Sequence, residues 1–396
     1  MNPRTPKDPG TPSGRLAVAV DLTTFAGGGE SGGLKPFVFR LLQWMAKERE
    51  AEFAFTYFTR PGLVREVEAF RRDEDRQVCI GPAPDPSRRE GSRAGLSWAP
   101  DAGAAREGAP QADLLYTPWG FSEFHRAGVP AVNLVADTLH RDWPGLLPPD
   151  EVRRREDWFQ RMLPAATAIQ CNSEFVARKL RVHFGVPAQK LFVVLNAIQG
   201  DVVDAAARSP ARPASQPYFF YPANDWPHKN HERLLRAYAD YRSRAGAGAW
   251  DLVLSGHLGR PEAWLPGIEK LGIAGSCRAL GHLDRDAFAD TFRNAGALVF
   301  PSLYEGFGIP VLEAMALGVP VACGNLASLP EVGGKAALYF DPRRTADIAG
   351  AMLRIGADPR LRAGLAAAGL ARAGEFSLAR EAGLLAGKFA ELALRR

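Results

Sequence analysis

Residues 297–324 read ALVFPSLYEGFGIPVLEAMALGVPVACG, and the order of residue types in them decides the fold. The apolar run at 297–300 is the pattern of a strand buried on both faces, and Pro301 ends it. Tyr304 to Gly308 then form a loop at the strand's carboxyl end. Pro310 suits the first position of a helix, where its missing N–H is not needed, and Gly318 suits the stop. Gly306 and Gly308 let the backbone approach a ligand, and the N–H groups of a helix start make an anion site suited to phosphate. Glu313 is the only charged side chain between Ile309 and Cys323, on a helix apolar nearly all round. A buried carboxylate is costly unless hydrogen-bonded; the two hydroxyls of a ribose would supply donors, and so would a buried Arg or Lys. Glu305 reads equally as an acceptor for sugar hydroxyls or as a plain loop carboxylate. On spacing alone these readings stand even.

Working outward, the same alternation of short apolar runs and helical patterns fills the chain. Strands are expected at 16–20, 52–58, 114–116, 131–135, 168–171 and 191–195, with helices at 34–49 and 61–71. The alternation restarts at 218–221 and continues through 252–255, 297–300 and 319–323. A chain of 396 residues exceeds one ordinary core. The fold class is therefore α/β: two doubly wound, Rossmann-like parallel-sheet domains facing a cleft, with ligands at the carboxyl ends of the strands. Residues 1–14 read as a disordered tail, 15–200 as the first domain, 201–217 as a proline-rich linker and 218–376 as the second domain. Residues 377–396 carry an amphipathic helix pattern. Residues 81–111, dense in Pro, Gly, Ala and Arg, read as a long surface insertion without periodicity.

The charged share is 23% and the net charge +5, which is mild. Arginine clusters at 71–72, 88–89 and 153–155 read first as solvated surface; attraction to anionic substrates or contact with a membrane face is the sharper alternative. No aromatic-basic motif points to nucleic acid. The four cysteines, at 79, 171, 277 and 323, are too far apart for a zinc site or a disulfide framework, so a cytoplasmic location is the default. No apolar run reaches the ~18 residues of a membrane-spanning helix.

The segment Glu305-Gly306-Phe307-Gly308-Ile309-Pro310-Val311-Leu312-Glu313, two glutamates separated by seven residues, resembles the donor-site signature of the retaining glycosyltransferase family 4. So do residues 314–321, 329–332 (Leu-Pro-Glu-Val) and Gly281-His282-Leu283. The resemblance implies the GT-B fold and a nucleotide-diphosphate sugar as donor substrate, with no cofactor and no metal. It also implies that the terminal helix crosses back onto the first domain. It implies that Glu305 contacts the donor sugar and Glu313 the ribose, and that Gly306, Phe307 and Gly308 hold the diphosphate. The loop Gly281, His282 and Leu283 would line the base. Lys229 matches the family's diphosphate lysine, and Gly32 and Gly33, at the end of a glycine-rich loop, come nearest the leaving group.

Two positions depart from the family pattern. Asn224 stands where the family has an Arg five residues before Lys229, so a neutral amide replaces one of two cations. Ala136 stands where many members have the His of a His-Asp pair. Asp137 remains, and His140 follows it in an Asp-x-x-His arrangement seen in some branches, so Asp137 and His140 join Glu305 as catalytic candidates. Ser173 and Asn230 read as helix caps. The function implied is transfer of a hexose-type sugar to a glycan or lipid-linked acceptor in bacterial surface polysaccharide synthesis. A nucleotide-sugar 2-epimerase of the same fold, or a degenerate nucleotide-sugar-binding scaffold, are the rivals.

Overall fold

The computed structural model describes residues 14–25, 33–81, 95–109, 111–198, 200–208, 216–259 and 265–395. The first sheet is built from β1 (Leu16–Asp21), β2 (Phe53–Thr59), β3 (Arg76–Ile80), β4 (Leu96–Ala99), β5 (Leu114–Thr117), β6 (Ala131–Val135), β7 (Ala168–Cys171) and β8 (Leu191–Val193). The second is built from β9 (Tyr218–Pro222), β10 (Asp251–Ser255), β11 (Cys277–Ala279), β12 (Ala297–Phe300), β13 (Val321–Gly324) and β14 (Ala337–Phe340). Strand order is β4-β3-β2-β1-β5-β6-β7-β8 in one and β11-β10-β9-β12-β13-β14 in the other. Every strand pair in both is parallel. Central strands such as β9 and β12 are buried along their whole length, which is why they read as unbroken apolar runs.

Each order reverses once, between β1 and β5 and between β9 and β12. At such a reversal neighbouring connections leave in opposite directions and open a crevice beyond the carboxyl ends of the strands. The loops there carry Gly33, Trp119, Lys229 and Glu305.

Two expectations from sequence are corrected. Within 81–111, residues 96–99 add β4 to the edge of the first sheet, and Ala102–Gly108 is a helix capped by Asp101, whose carboxylate accepts from Ala104 N–H at 2.9 Å. A four-residue edge strand is too short to show a period. Within 201–217, Gly200–Arg208 is a helix that packs on the helix Arg285–Arg293, burying Val202, Ala205 and Ala206 against Ala289. Its apolar spacing is helical, but the prolines at 210, 213 and 217 dominate that stretch. Residues 1–13 of the expected tail, 82–94 of the expected insertion and 209–215 of the expected linker lie outside the described residues.

Phe376 is buried in the core of the second domain, and the helix Leu378–Leu394 that follows packs on the helix Leu34–Glu48 of the first. Its Leu385, Phe389 and Leu392 join the first domain's core, whereas Leu384 and Leu394 are exposed. Phe389 meets the rings of Tyr116 at 5.2 Å and Phe53 at 6.5 Å. Glu381 is buried, its Oε2 accepting from Leu195 N–H at 2.8 Å, and burial pushes its pKa up. Phe389→Ala is expected to destabilise the first domain by about 3–5 kcal/mol, the range for emptying a fully buried aromatic site. Denaturant unfolding followed by Trp fluorescence checks this; an unchanged midpoint contradicts it.

Candidate active site

β9 and β12 are neighbours, so the loops after them emerge side by side. Lys229 leaves the first loop and Glu305 the second, and they meet as an ion pair, Nζ to Oε1 at 2.6 Å, each side chain 12% exposed. The Lys229 ammonium also sits 5.6 Å from the Phe300 ring and 6.0 Å from that of Trp226, which is largely exposed. A part-buried cation beside an aromatic rim suits an anionic ligand. Glu313 lies in the helix Ile309–Ala316 that follows the Glu305 loop and is buried, as are Val311, Leu312, Ala314 and Met315.

The loop between the glutamates is held from three directions. Ser328 Oγ lies 2.9 Å from the Glu305 carbonyl and 2.7 Å from that of Phe307. Ser173 Oγ, from the first domain, donates to the Gly306 carbonyl at 2.6 Å. Tyr304 Oη accepts from Thr138 N–H at 2.9 Å and lies 3.0 Å from the Thr138 hydroxyl. Gly306 packs so closely on the first domain that a Cβ would fall 1.8 Å from the Ala136 carbonyl oxygen. Gly308 adopts φ 109° at the start of the helix Ile309–Ala316, a left-handed value that favours glycine. Pro310 is the second helical residue, not the first.

Across the cleft, a Cβ on Gly33 would fall 2.3 Å from Ile309 Cδ1. Gly33 and Gly308 begin the helices Leu34–Glu48 and Ile309–Ala316, so two helix N-termini face each other, and neither has a side-chain cap among the described residues. Both leave positive dipole ends at one place. Gly32 lies outside the described residues.

Asp137 stands in the first domain next to the Ala136–Gly306 contact. Its Oδ1 accepts from Arg155 Nη1 at 2.7 Å and from Leu139 N–H at 3.0 Å. Arg155 also reaches Glu151 Oε1 at 2.7 Å and lies 5.6 Å from the Trp119 ring. Asp137 and Arg155 line a small cavity with Trp119, Gly120 and Trp158. His140 is only 2% exposed, packed against Phe159 (4.6 Å) and Phe184 (6.0 Å), with its Nε2 3.8 Å from Glu156 Oε2 and no hydrogen-bond partner for either ring nitrogen among the described residues.

At the other end of the cleft, Asn224 Oδ1 accepts from His257 N–H at 2.9 Å, so its amide ties two loops together. His257 stacks on His282 with ring centroids 4.6 Å apart and planes 18° apart. Gly281 takes φ 68° and accepts from Gly256 N–H at 2.9 Å; Leu283 follows in the same loop. Asn230 sits at a helix start but does not cap it. At φ 65° its amide turns away and donates to the carbonyls of Pro301 (3.0 Å) and Pro342 (2.8 Å). Ser173 does cap its helix, accepting from Val176 N–H at 3.2 Å. Arg155, His257 and Ser328 escaped the sequence reading; Arg155 lay in a cluster read as surface, and the other two carry no local signal.

Burial pushes the pKa of His140 from 6.5 down to about 4, and that of His228 down to about 2. Their folded values lie below the unfolded one, so the unfolded chain takes up protons first as pH falls. Their stabilising contribution is full above pH 6.5, and that of His140 is lost progressively between 6.5 and about 4. His140→Phe is expected to make the fall of the melting temperature over that window shallower than in the parent; parallel curves contradict the lowered pKa of a buried imidazole. Gly306→Ala, by contrast, is expected to abolish catalysis in a folded protein, checked by circular dichroism beside an activity assay.

The chain matches two family models, Glycosyltransferase Family 4 over residues 31–202 and Glycosyl transferases group 1 over 203–372. It is 34% identical over 248 residues to the O-antigen chain mannosyltransferase B of Escherichia coli, covering 59% of this chain and 63% of that relative's length. Among solved structures it resembles a sucrose-phosphate synthase from Thermosynechococcus elongatus (TM-score 0.72, 18% identity, 96% of this chain and 100% of that one). It also resembles HepE of Anabaena in complex with UDP and glucose (TM-score 0.68, 16% identity, 95% and 100%). These two likenesses show the two-domain GT-B fold. With the two models together spanning residues 31–372, the chain belongs to glycosyltransferase family 4.

Proposed function

We propose that the chain transfers a hexosyl residue from a nucleoside-diphosphate sugar to a glycan or lipid-linked glycan acceptor in bacterial surface polysaccharide synthesis. The observation that carries this is the Lys229–Glu305 pair set where two helix N-termini converge. A nucleoside-diphosphate sugar offers both partners a replacement. Its diphosphate takes Lys229 and the helix N–H groups, and its sugar hydroxyls donate to Glu305. Glu313 accepts from the ribose, and the stacked His257–His282 pair with Gly281 and Leu283 flanks the base. Asn224 serves the donor indirectly, by fixing the His257 loop.

In this reading the bond between the anomeric carbon and the diphosphate oxygen breaks, and negative charge builds where Lys229 and the two helix ends already point. The acceptor hydroxyl attacks from the same face, its proton passes to the departing phosphate oxygen, and configuration is retained. Lys229 and the helix dipoles supply the positive charge, so the reaction is metal-independent. On the acceptor side, Asp137 offers its second carboxylate oxygen while Arg155 and Leu139 N–H fix the first. Trp119 and Trp158 give that side aromatic faces.

Mannose is the first donor sugar to test. The sequence relative at 34% identity is a mannosyltransferase, and identity at that level carries more about substrate than a shared fold does. The rival is UDP-glucose, whose components occupy the HepE structure.

Incubating the protein with labelled GDP-mannose or UDP-glucose, with and without an oligosaccharide acceptor, tests this reading. Acceptor-dependent product that persists in EDTA is expected, and Glu305→Ala should lower kcat by about a hundredfold or more. Product formed without acceptor favours the epimerase. A Glu305→Ala variant as active as the parent removes that residue from the site.

A further inference from the structure

We infer that Glu331 is a positioning residue that registers the donor loop against the first domain by capping a helix of that domain from outside it; this rests on the glycosyl-transfer reading above. Glu331 belongs to the short helix Leu329–Gly333 of the second domain. Its Oε1 accepts from Glu174 N–H at 2.8 Å and its Oε2 from Phe175 N–H at 3.0 Å, the first two amides of the helix Glu174–Phe184 in the first domain. The third amide, Val176 N–H, goes to Ser173 Oγ, and the fourth, Ala177 N–H, to the Ser173 carbonyl. A helix start leaves its leading N–H groups without partners inside the helix. Here two of them are met by a side chain of the other domain, and that side chain carries a negative charge to the positive end of a helix.

The same two elements hold the donor loop. Ser173, which caps the helix, donates to the Gly306 carbonyl. Ser328, which precedes the Glu331 helix, holds the carbonyls of Glu305 and Phe307. The far end of that short helix is braced by Arg372, whose Nε reaches the Val332 carbonyl at 3.1 Å and Nη2 the Glu331 carbonyl at 2.7 Å. Glu331 is thus fixed to its own domain by backbone and to the other by its carboxylate, and the serines beside the two elements it joins hold the loop bearing Glu305. Its charge acts on the reaction through the relative placement of the domains: Lys229, Glu305 and Glu313 belong to the second domain, the Gly33 helix end and the acceptor side to the first. Loss of the carboxylate leaves the second domain's share of the donor site whole and misplaces the Gly33 helix end and the acceptor side that face it.

The test uses the full chain with Glu331→Ala and Glu331→Gln. Hydrogen exchange of the peptide holding residues 173–177 is compared with that of the rest of the protein. In parallel, kcat and the donor KM are measured with GDP-mannose as probe. In Glu331→Ala, exchange is expected to rise at the start of that helix and not elsewhere, with kcat falling about tenfold and donor KM rising by less than that. Glu331→Gln, keeping one acceptor oxygen, should recover part of both. Unchanged exchange at 173–177 overturns the inference. So does exchange raised throughout the chain, which would make Glu331 a residue of general stability. A parent protein that turns over no donor sinks the glycosyl-transfer reading instead, and the exchange arm still decides whether the cap exists.

Discussion

The site depends on one ion pair formed across two adjacent parallel strands. Lys229 and Glu305 are 76 positions apart in the chain, yet β9 and β12 lie side by side, and both side chains are largely removed from water. Burying two charges is costly, and their attraction offsets that cost only when the geometry is good. A folding chain with no ligand to receive would gain more from an apolar pair. The pair makes sense as two recognition groups resting on each other, each keeping the other satisfied until a ligand bearing both an anion and hydroxyl donors replaces it.

Around that pair the backbone is packed too tightly to tolerate drift. The Ala136 carbonyl occupies the space a side chain at 306 would need, and Gly33 meets Ile309 in the same way. Ala136, read from sequence as a missing catalytic group, is therefore also the point where the first domain touches the donor loop through its backbone. The departure at Asn224 resolves similarly: the amide is engaged with His257 N–H, a structural duty a neutral side chain can perform. The Asp137–Arg155 pair then brings a second set of charges to the cleft from the first domain.

Much of this was legible in the residues because it is local. The run from 297 to 324 announces strand, turn and helix by composition alone, and β12, the loop and the helix Ile309–Ala316 lie where it puts them. The lone carboxylate in an apolar helix marked Glu313 as buried, and it is. What escaped is non-local or conformational. The roles of Glu331 and Ser173 need partners more than 130 positions away. Asn230 looks like a cap until its left-handed backbone turns the amide toward Pro301 and Pro342. His140 sits in a motif-like setting, and only the placement of Phe159 and Phe184 shows that it faces the core. The helix Gly200–Arg208 was obscured by the prolines that follow it.

The central claim is that the Lys229–Glu305 pair is exchanged for the donor, and calorimetric titration of GDP into the parent and into Glu305→Gln tests it most directly. GDP carries the diphosphate without the sugar, so in the parent it must take Lys229 from Glu305 with nothing to offer the carboxylate in return. The account predicts tighter GDP binding in the variant, where the lysine is free and a negative charge near the phosphates is gone. Equal or weaker binding in the variant would contradict it.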